Sequence, residues 1–82
     1  MNLDEKEILN SLSEIFNDVF FLDEIVLEVT LSQKDIPGWD SFNHINLVMA
    51  VEEKFGIKIN IQKMQELKSV EDFLNEIRRL LN

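Results

Sequence analysis

Three features of the sequence predict an all-α fold: a small bundle of three main helices and one short one, with a long loop between helices I and II. Apolar residues recur at helical spacing in three separate segments. Only three of the 82 residues are glycine or proline, and each stands where a helix has to stop or a loop has to turn. Strand-like alternation is confined to two stretches, and a lone two-stranded ribbon is marginal in water.

The first helix runs from Asp4 to about Phe20. Ile8, Leu9, Leu12, Ile15, Phe16 and Val19 line one face. Asp4, Glu5 and Glu7 crowd its start, where the helix dipole favours negative charge. From Phe21 to Asp40 the pattern changes. Ile25, Leu27, Val29 and Leu31 alternate as in a half-buried strand, but the only candidate partner is Ile57-Lys58-Ile59-Asn60-Ile61. A long loop laying its apolar residues across the helices is the better reading, and loops of this length tend to be functional. It ends in Ile36-Pro37-Gly38-Trp39-Asp40, where proline and glycine set a turn.

The second helix begins at Asp40 or Ser41 and ends at Phe55, with Gly56 as its stop. It carries two apolar stripes. Leu47, Val48, Val51 and Phe55 form the core face. Phe42, Ile45 and Met49 form a second stripe, rotated from the first, with Glu52 and Glu53 beyond it. A helix apolar over so much of its circumference either lies deep in a core or presents a patch to a partner. Residues 62–67 make one or two helical turns with Met64 and Leu67 facing inward. In the last helix Ser69 is the N-cap, Glu71 and Asp72 sit in the first turn, and Val70, Phe73, Leu74, Ile77, Leu80 and Leu81 form the core face. Arg78 and Arg79 stand near its C-terminus, where the dipole favours cations. Residues 1–82 thus read as a single domain.

Composition excludes several function classes. There is no cysteine, hence no disulfide, thiol nucleophile or thiolate metal site, and one histidine cannot make a zinc cluster. No apolar run is long enough to span a membrane, and no basic-then-apolar leader opens the chain, so a soluble, cytoplasmic single domain is expected, read separately as a monomer. Sixteen acids against eight bases give a net charge of −8, which repels nucleic acid phosphates. The excess sits in residues 1–41, with ten acids and two lysines, while the remainder is balanced. Such a surface suits a basic protein partner, or serves solubility alone.

The candidates for chemistry are few. Ser41, His44 and Asp40 have the composition of a hydrolase triad, but one short helix without a cleft builds no oxyanion hole, and such a histidine is more often a surface or interface residue. Glu52/Glu53 and Asp23/Glu24 diverge on a helix and make no acid–base pair. Two glycines cannot form a phosphate loop. The chain is not read as an enzyme, and no metal site is expected. Asp40-Ser41-Phe42 stands apart. Ser41 either simply caps the helix or presents a hydroxyl whose phosphate ester would meet free backbone N–H groups and the positive end of the dipole.

Gly38-Trp39-Asp40-Ser41-Phe42-Asn43-His44-Ile45-Asn46-Leu47, followed by Val51-Glu52-Glu53-Lys54-Phe55-Gly56-Ile57, resembles the signature of the acyl and peptidyl carrier proteins. In that family an Asp-Ser-Leu motif opens helix II and its serine carries 4′-phosphopantetheine. The resemblance covers essentially the whole chain. It implies that a separate holo-acyl-carrier-protein synthase, a phosphopantetheinyl transferase using coenzyme A, modifies Ser41. The arm then holds acyl or aminoacyl groups as thioesters for loading and transfer enzymes. It also implies partner-binding roles: Asp40 orients the modifying enzyme or its metal, Phe42, Ile45 and Met49 supply apolar contacts, and Glu52 and Glu53 meet basic residues. Phe42 replaces the usual leucine, His44 and Asn46 stand where fatty-acid carriers have polar or acidic residues, and Trp39 is reminiscent of carriers in dedicated biosynthetic pathways. The alternative is an unmodified helical protein–protein interaction module using the same patch.

Overall fold

The computed structural model describes residues 4–21 and 27–81. Ile25 and the Asp23/Glu24 pair lie outside the described residues. The order of elements is α1 (Glu5–Phe20), α2 (Ser41–Phe55), α3 (Ile61–Glu66) and α4 (Val70–Leu81), with no strand among the described residues. Asp4 caps α1 by accepting the Glu7 N–H at 2.8 Å. At the far end Phe21 takes the left-handed conformation and donates its N–H to the Asn17 carbonyl.

The amphipathic faces read from the sequence meet in one core. Helix α1 packs against α2 and α4. Ile8, Leu12 and Phe16 of α1, Leu47 and Val51 of α2, and Phe73, Leu74 and Ile77 of α4 are buried within it. At roughly 1.5–3 kcal/mol for each large apolar side chain, this face-to-face burial drives the fold. Phe16, Phe20, Trp39 and Phe73 gather at one end with ring centroids 5.3–6.1 Å apart.

The described part of the first loop, residues 27–40, does lie across the helices. Leu27, Ile36 and Trp39 are buried, and Val29 and Leu31 pack against the core. Its backbone pairs with the α3–α4 connector and not with residues 57–61. The Leu31 carbonyl accepts the Val70 N–H at 2.9 Å, Val29 accepts that of Glu71 at 3.2 Å, and Gln33 donates to Lys68 at 3.1 Å. Two N–H groups in the first turn of α4, which have no partner inside the helix, are thereby satisfied. Ser69 adds the expected cap by accepting the Asp72 N–H at 3.1 Å.

Helix α3 starts one residue before the expected 62–67. Asn60 provides the cap, accepting the Lys63 N–H at 2.7 Å. Ile61, the last residue of the strand-like alternation, becomes the first residue of that helix and is exposed. Leu67 is buried and Met64 half-buried, as their spacing predicts.

Candidate functional site at the start of helix α2

The segment entering α2 is held by its own polar groups. Gly38 has φ +88°, a conformation any side chain would strain, and its carbonyl accepts the Asp40 N–H at 2.9 Å and the Asn43 side-chain amide at 2.8 Å. Asp40 is extended, and its Oδ1 accepts the Asn43 N–H at 2.8 Å. The cap of α2 is therefore Asp40. Ser41 is the first helical residue, exposed, and the reading of Ser41 as the cap is corrected. An aspartate in extended backbone one residue earlier already occupies the donor that a capping serine would need. What remains is a hydroxyl facing solvent at a helix N-terminus, with first-turn N–H groups and the dipole's positive end beside it.

The second stripe of α2 is open to solvent. Phe42 is 74%, Met49 60% and Ile45 48% exposed, whereas Leu47, Val48 and Val51 are buried. Ile45 joins Ser41, His44, Gln33, Met64 and Gln65 around a cavity of about 320 Å³. Met49 joins Glu52, Glu53, Gly56, Ile57 and Lys58 around a second, of about 440 Å³, at the far end of the helix. The two glutamates differ. Glu53 is exposed, while half-buried Glu52 accepts the Ile59 N–H at 2.8 Å and so anchors the connector after α2.

His44 is not a surface residue. It is 8% exposed. Its Nδ1 accepts the Trp39 indole N–H at 2.9 Å, and its Nε2 lies 2.8 Å from the Met64 carbonyl. Because indole only donates, Nδ1 must be the acceptor and Nε2 carries the proton toward Met64. Both ring nitrogens are spent, so no base is left for Ser41, and Asp40 faces Asn43 rather than the imidazole. The hydrolase triad is thereby excluded. The missed signal was spacing, since residues 44, 47, 48 and 51 are one helical stripe.

Glu76 of α4 was also missed. It is 3% exposed and bound by Arg79 through two contacts of 2.9 and 2.7 Å, with Lys63 of α3 at 4.0 Å. The Arg79 hydrogen bonds hold its carboxyl below the usual range against the opposing effect of burial. A cluster of three or more potential metal ligands does not occur among the described residues.

No protein-family model matches the chain. Among curated proteins it is 30% identical over 79 residues to the acyl carrier protein of Thermobifida fusca, covering 96% of this chain and 100% of that one. To the acyl carrier protein of Acidothermus cellulolyticus it is 35% identical over 77 residues, covering 94% and 92%. Among solved structures, holo acyl carrier protein from Geobacter metallireducens superposes with a TM-score of 0.81 at 38% identity, over 90% of this chain and 85% of that one. The acyl carrier protein of Thermotoga maritima gives a TM-score of 0.82 at 23% identity, over 94% and 89%, which speaks to the fold alone.

Proposed function

The chain belongs to the acyl carrier protein family, and from that premise we propose that Ser41 is its attachment point for 4′-phosphopantetheine and that it serves a dedicated biosynthetic pathway. The observation that carries the attachment site is the division of labour at the start of α2: Asp40 caps the helix, leaving the Ser41 hydroxyl exposed and uncommitted. An exposed hydroxyl beside unpaired helical N–H groups fits a phosphodiester, whose charge those groups favour. When bound, the group supplies the thiol, which this cysteine-free chain lacks, on which acyl cargo is carried as a thioester.

The remaining residues act in recognition. Family membership implies a phosphopantetheinyl transferase and acyl-handling enzymes as partners. Phe42, Ile45 and Met49 offer them apolar contact, Asp40 and Glu53 offer charge, and Glu52 contributes what its bond to Ile59 leaves free. Asn43 and Asn46 make the middle of this face neutral, and they bond to each other at 3.4 Å. That neutral centre supports a partner selected by apolar contact more than by charge, and so a dedicated enzyme rather than the general fatty-acid set. The same reading makes residues 1–82 one carrier domain, monomeric and cytoplasmic.

The test is intact mass after incubation of the apo-protein with coenzyme A and a broad-specificity transferase. The wild type gains one phosphopantetheine and Ser41→Ala gains none. A Ser41→Ala protein that still gains the mass overturns the site. A folded wild type that gains nothing leaves the unmodified interaction module as the better reading.

A further inference from the structure

Helix α3 buries little of its own surface, although Ile59 before it and Leu67 at its end both lie in the core. It has six residues, none of them buried, and a helix so short is not stable by itself. Its C-cap residue Leu67 is buried, its Met64 half-buried, and its Ile61 open to solvent. On the α4 side Lys63 reaches Glu76 at 4.0 Å, but the lysine is substantially exposed and such pairs hold weakly. On the α2 side the attachment is of another kind. The buried His44 donates from Nε2 to the Met64 carbonyl at 2.8 Å. Met64 lies in the last turn of α3; its carbonyl takes the Leu67 N–H at 3.3 Å, and the imidazole supplies a second donor from outside the helix. The ring cannot turn away cheaply. Trp39 donates to Nδ1 at 2.9 Å and lies nearly parallel to it at 6.1 Å, and Phe73 meets it edge-on at 5.9 Å.

This connection lies beside Ser41. His44 follows it by one helical turn, and the two residues line the same cavity of about 320 Å³, with Met64 and Gln65 of α3 on another wall. The position of α3 therefore decides what an enzyme meets next to the Ser41 hydroxyl. We propose that His44 is a positioning residue that fixes α3 against the Ser41 end of α2, and that the transferase recognises Ser41 partly through α3 held in this way. The second half rests on the reading of Ser41 as the attachment point; the first half does not.

The two bonds of the ring can be separated by substitution. In His44→Gln the side-chain amide sits near the place of Nε2 and can donate to Met64, while nothing replaces Nδ1. In His44→Asn the carbonyl oxygen sits near the place of Nδ1 and can accept from Trp39, while the donor to Met64 is lost. Hydrogen exchange of the amides at 61–67, fluorescence of the single tryptophan and transferase kinetics are measured on the full chain. His44→Asn is expected to speed exchange in 61–67 by about tenfold, the equivalent of one lost hydrogen bond. α1 and α4 stay protected, and the KM for the apo-protein rises severalfold with kcat within about twofold. His44→Gln is expected to restore slow exchange and the wild-type KM while shifting the Trp39 emission. Equal exchange at 61–67 in wild type and His44→Asn overturns the positioning role, as does loss of protection across the whole chain in both variants, which would make His44 an ordinary core residue. Loosened α3 with unchanged KM overturns the recognition half. A wild type that is never modified refutes the attachment site instead, and the exchange result still decides the role of His44.

Discussion

Helix α2 has two apolar faces of similar composition and opposite fate. Leu47, Val48 and Val51 are buried in the common core, whereas Phe42, Ile45 and Met49 stand in solvent. Side-chain chemistry does not separate them; what packs on them does. The inner face contributes to folding; the outer face gives up that contribution and stands open as the proposed contact surface. The polar residues divide in the same way. His44 and Glu52 spend their hydrogen bonds inside the chain, while Ser41 and Glu53 are exposed.

The sharpest way to break this comparison is truncation on each face. Leu47→Ala leaves a cavity at a fully buried position and should destabilise by about 2–5 kcal/mol. Met49→Ala should stay within about 0.5 kcal/mol of the wild type while slowing modification or loading. Urea unfolding and partner kinetics on the same samples decide it. If Met49→Ala costs as much as Leu47→Ala, the outer face belongs to the core.

A smaller effect separates Asp40 from Ser41. Asp40→Ala removes the cap and should cost about 1 kcal/mol, with slower modification because the first turn of α2 frays. Ser41→Ala should leave stability nearly unchanged and abolish modification. Thermal unfolding of the two variants side by side measures the difference. Equal losses would return the capping role to the serine.

Much of this division could be read from the sequence, and what could not has identifiable causes. The periodicity of α1, α2 and α4 and the separation of the Phe42 stripe from the Leu47 stripe follow from 3.6-residue spacing alone. The sequence leaves the cap open between Asp40 and Ser41 because aspartate and serine are both good caps and adjacent; only the extended backbone of Asp40 chooses between them. His44 was misjudged by residue type although its spacing placed it with Leu47 and Val51. Glu76, three residues after Phe73, was hidden in the same way. The pairing of residues 29–33 with 68–71 is carried by backbone groups distant in sequence, which no side-chain pattern reports.

Glu76 extends the comparison to charge, since it is buried while the other acids among the described residues are largely exposed. Its carboxyl titrates lower when folded than when unfolded, held down first by the Arg79 hydrogen bonds. Its contribution is therefore present above the unfolded carboxyl range near 4.3 and is lost as pH falls through the lower folded value. Glu76→Gln should lower the melting temperature at neutral pH, and the gap from wild type should close in acid. A gap independent of pH would show that the pair with Arg79 adds nothing through its charge.

The smallest expected effect lies in the Glu52/Glu53 pair, where one acid faces inward and its neighbour outward. Glu53 is exposed beside Met49, so its charge can steer a basic partner, whereas the Glu52 carboxylate is already bound to the Ile59 N–H. Steering by one rim charge acts on the association rate and falls away once salt shortens the Debye length to about 8 Å. Glu53→Gln should slow loading by its partner about twofold at low salt and match the wild type at physiological ionic strength. Glu52→Gln keeps an oxygen that can accept from Ile59 and should change loading less at every salt concentration. The neutral centre formed by Asn43 and Asn46 limits both effects, because few charges remain for salt to screen. A salt series of loading rates on the three proteins measures this. If Glu52→Gln proves the more salt-sensitive of the two, the inward bond does not hold in solution, and the inner and outer faces of α2 divide at a different residue.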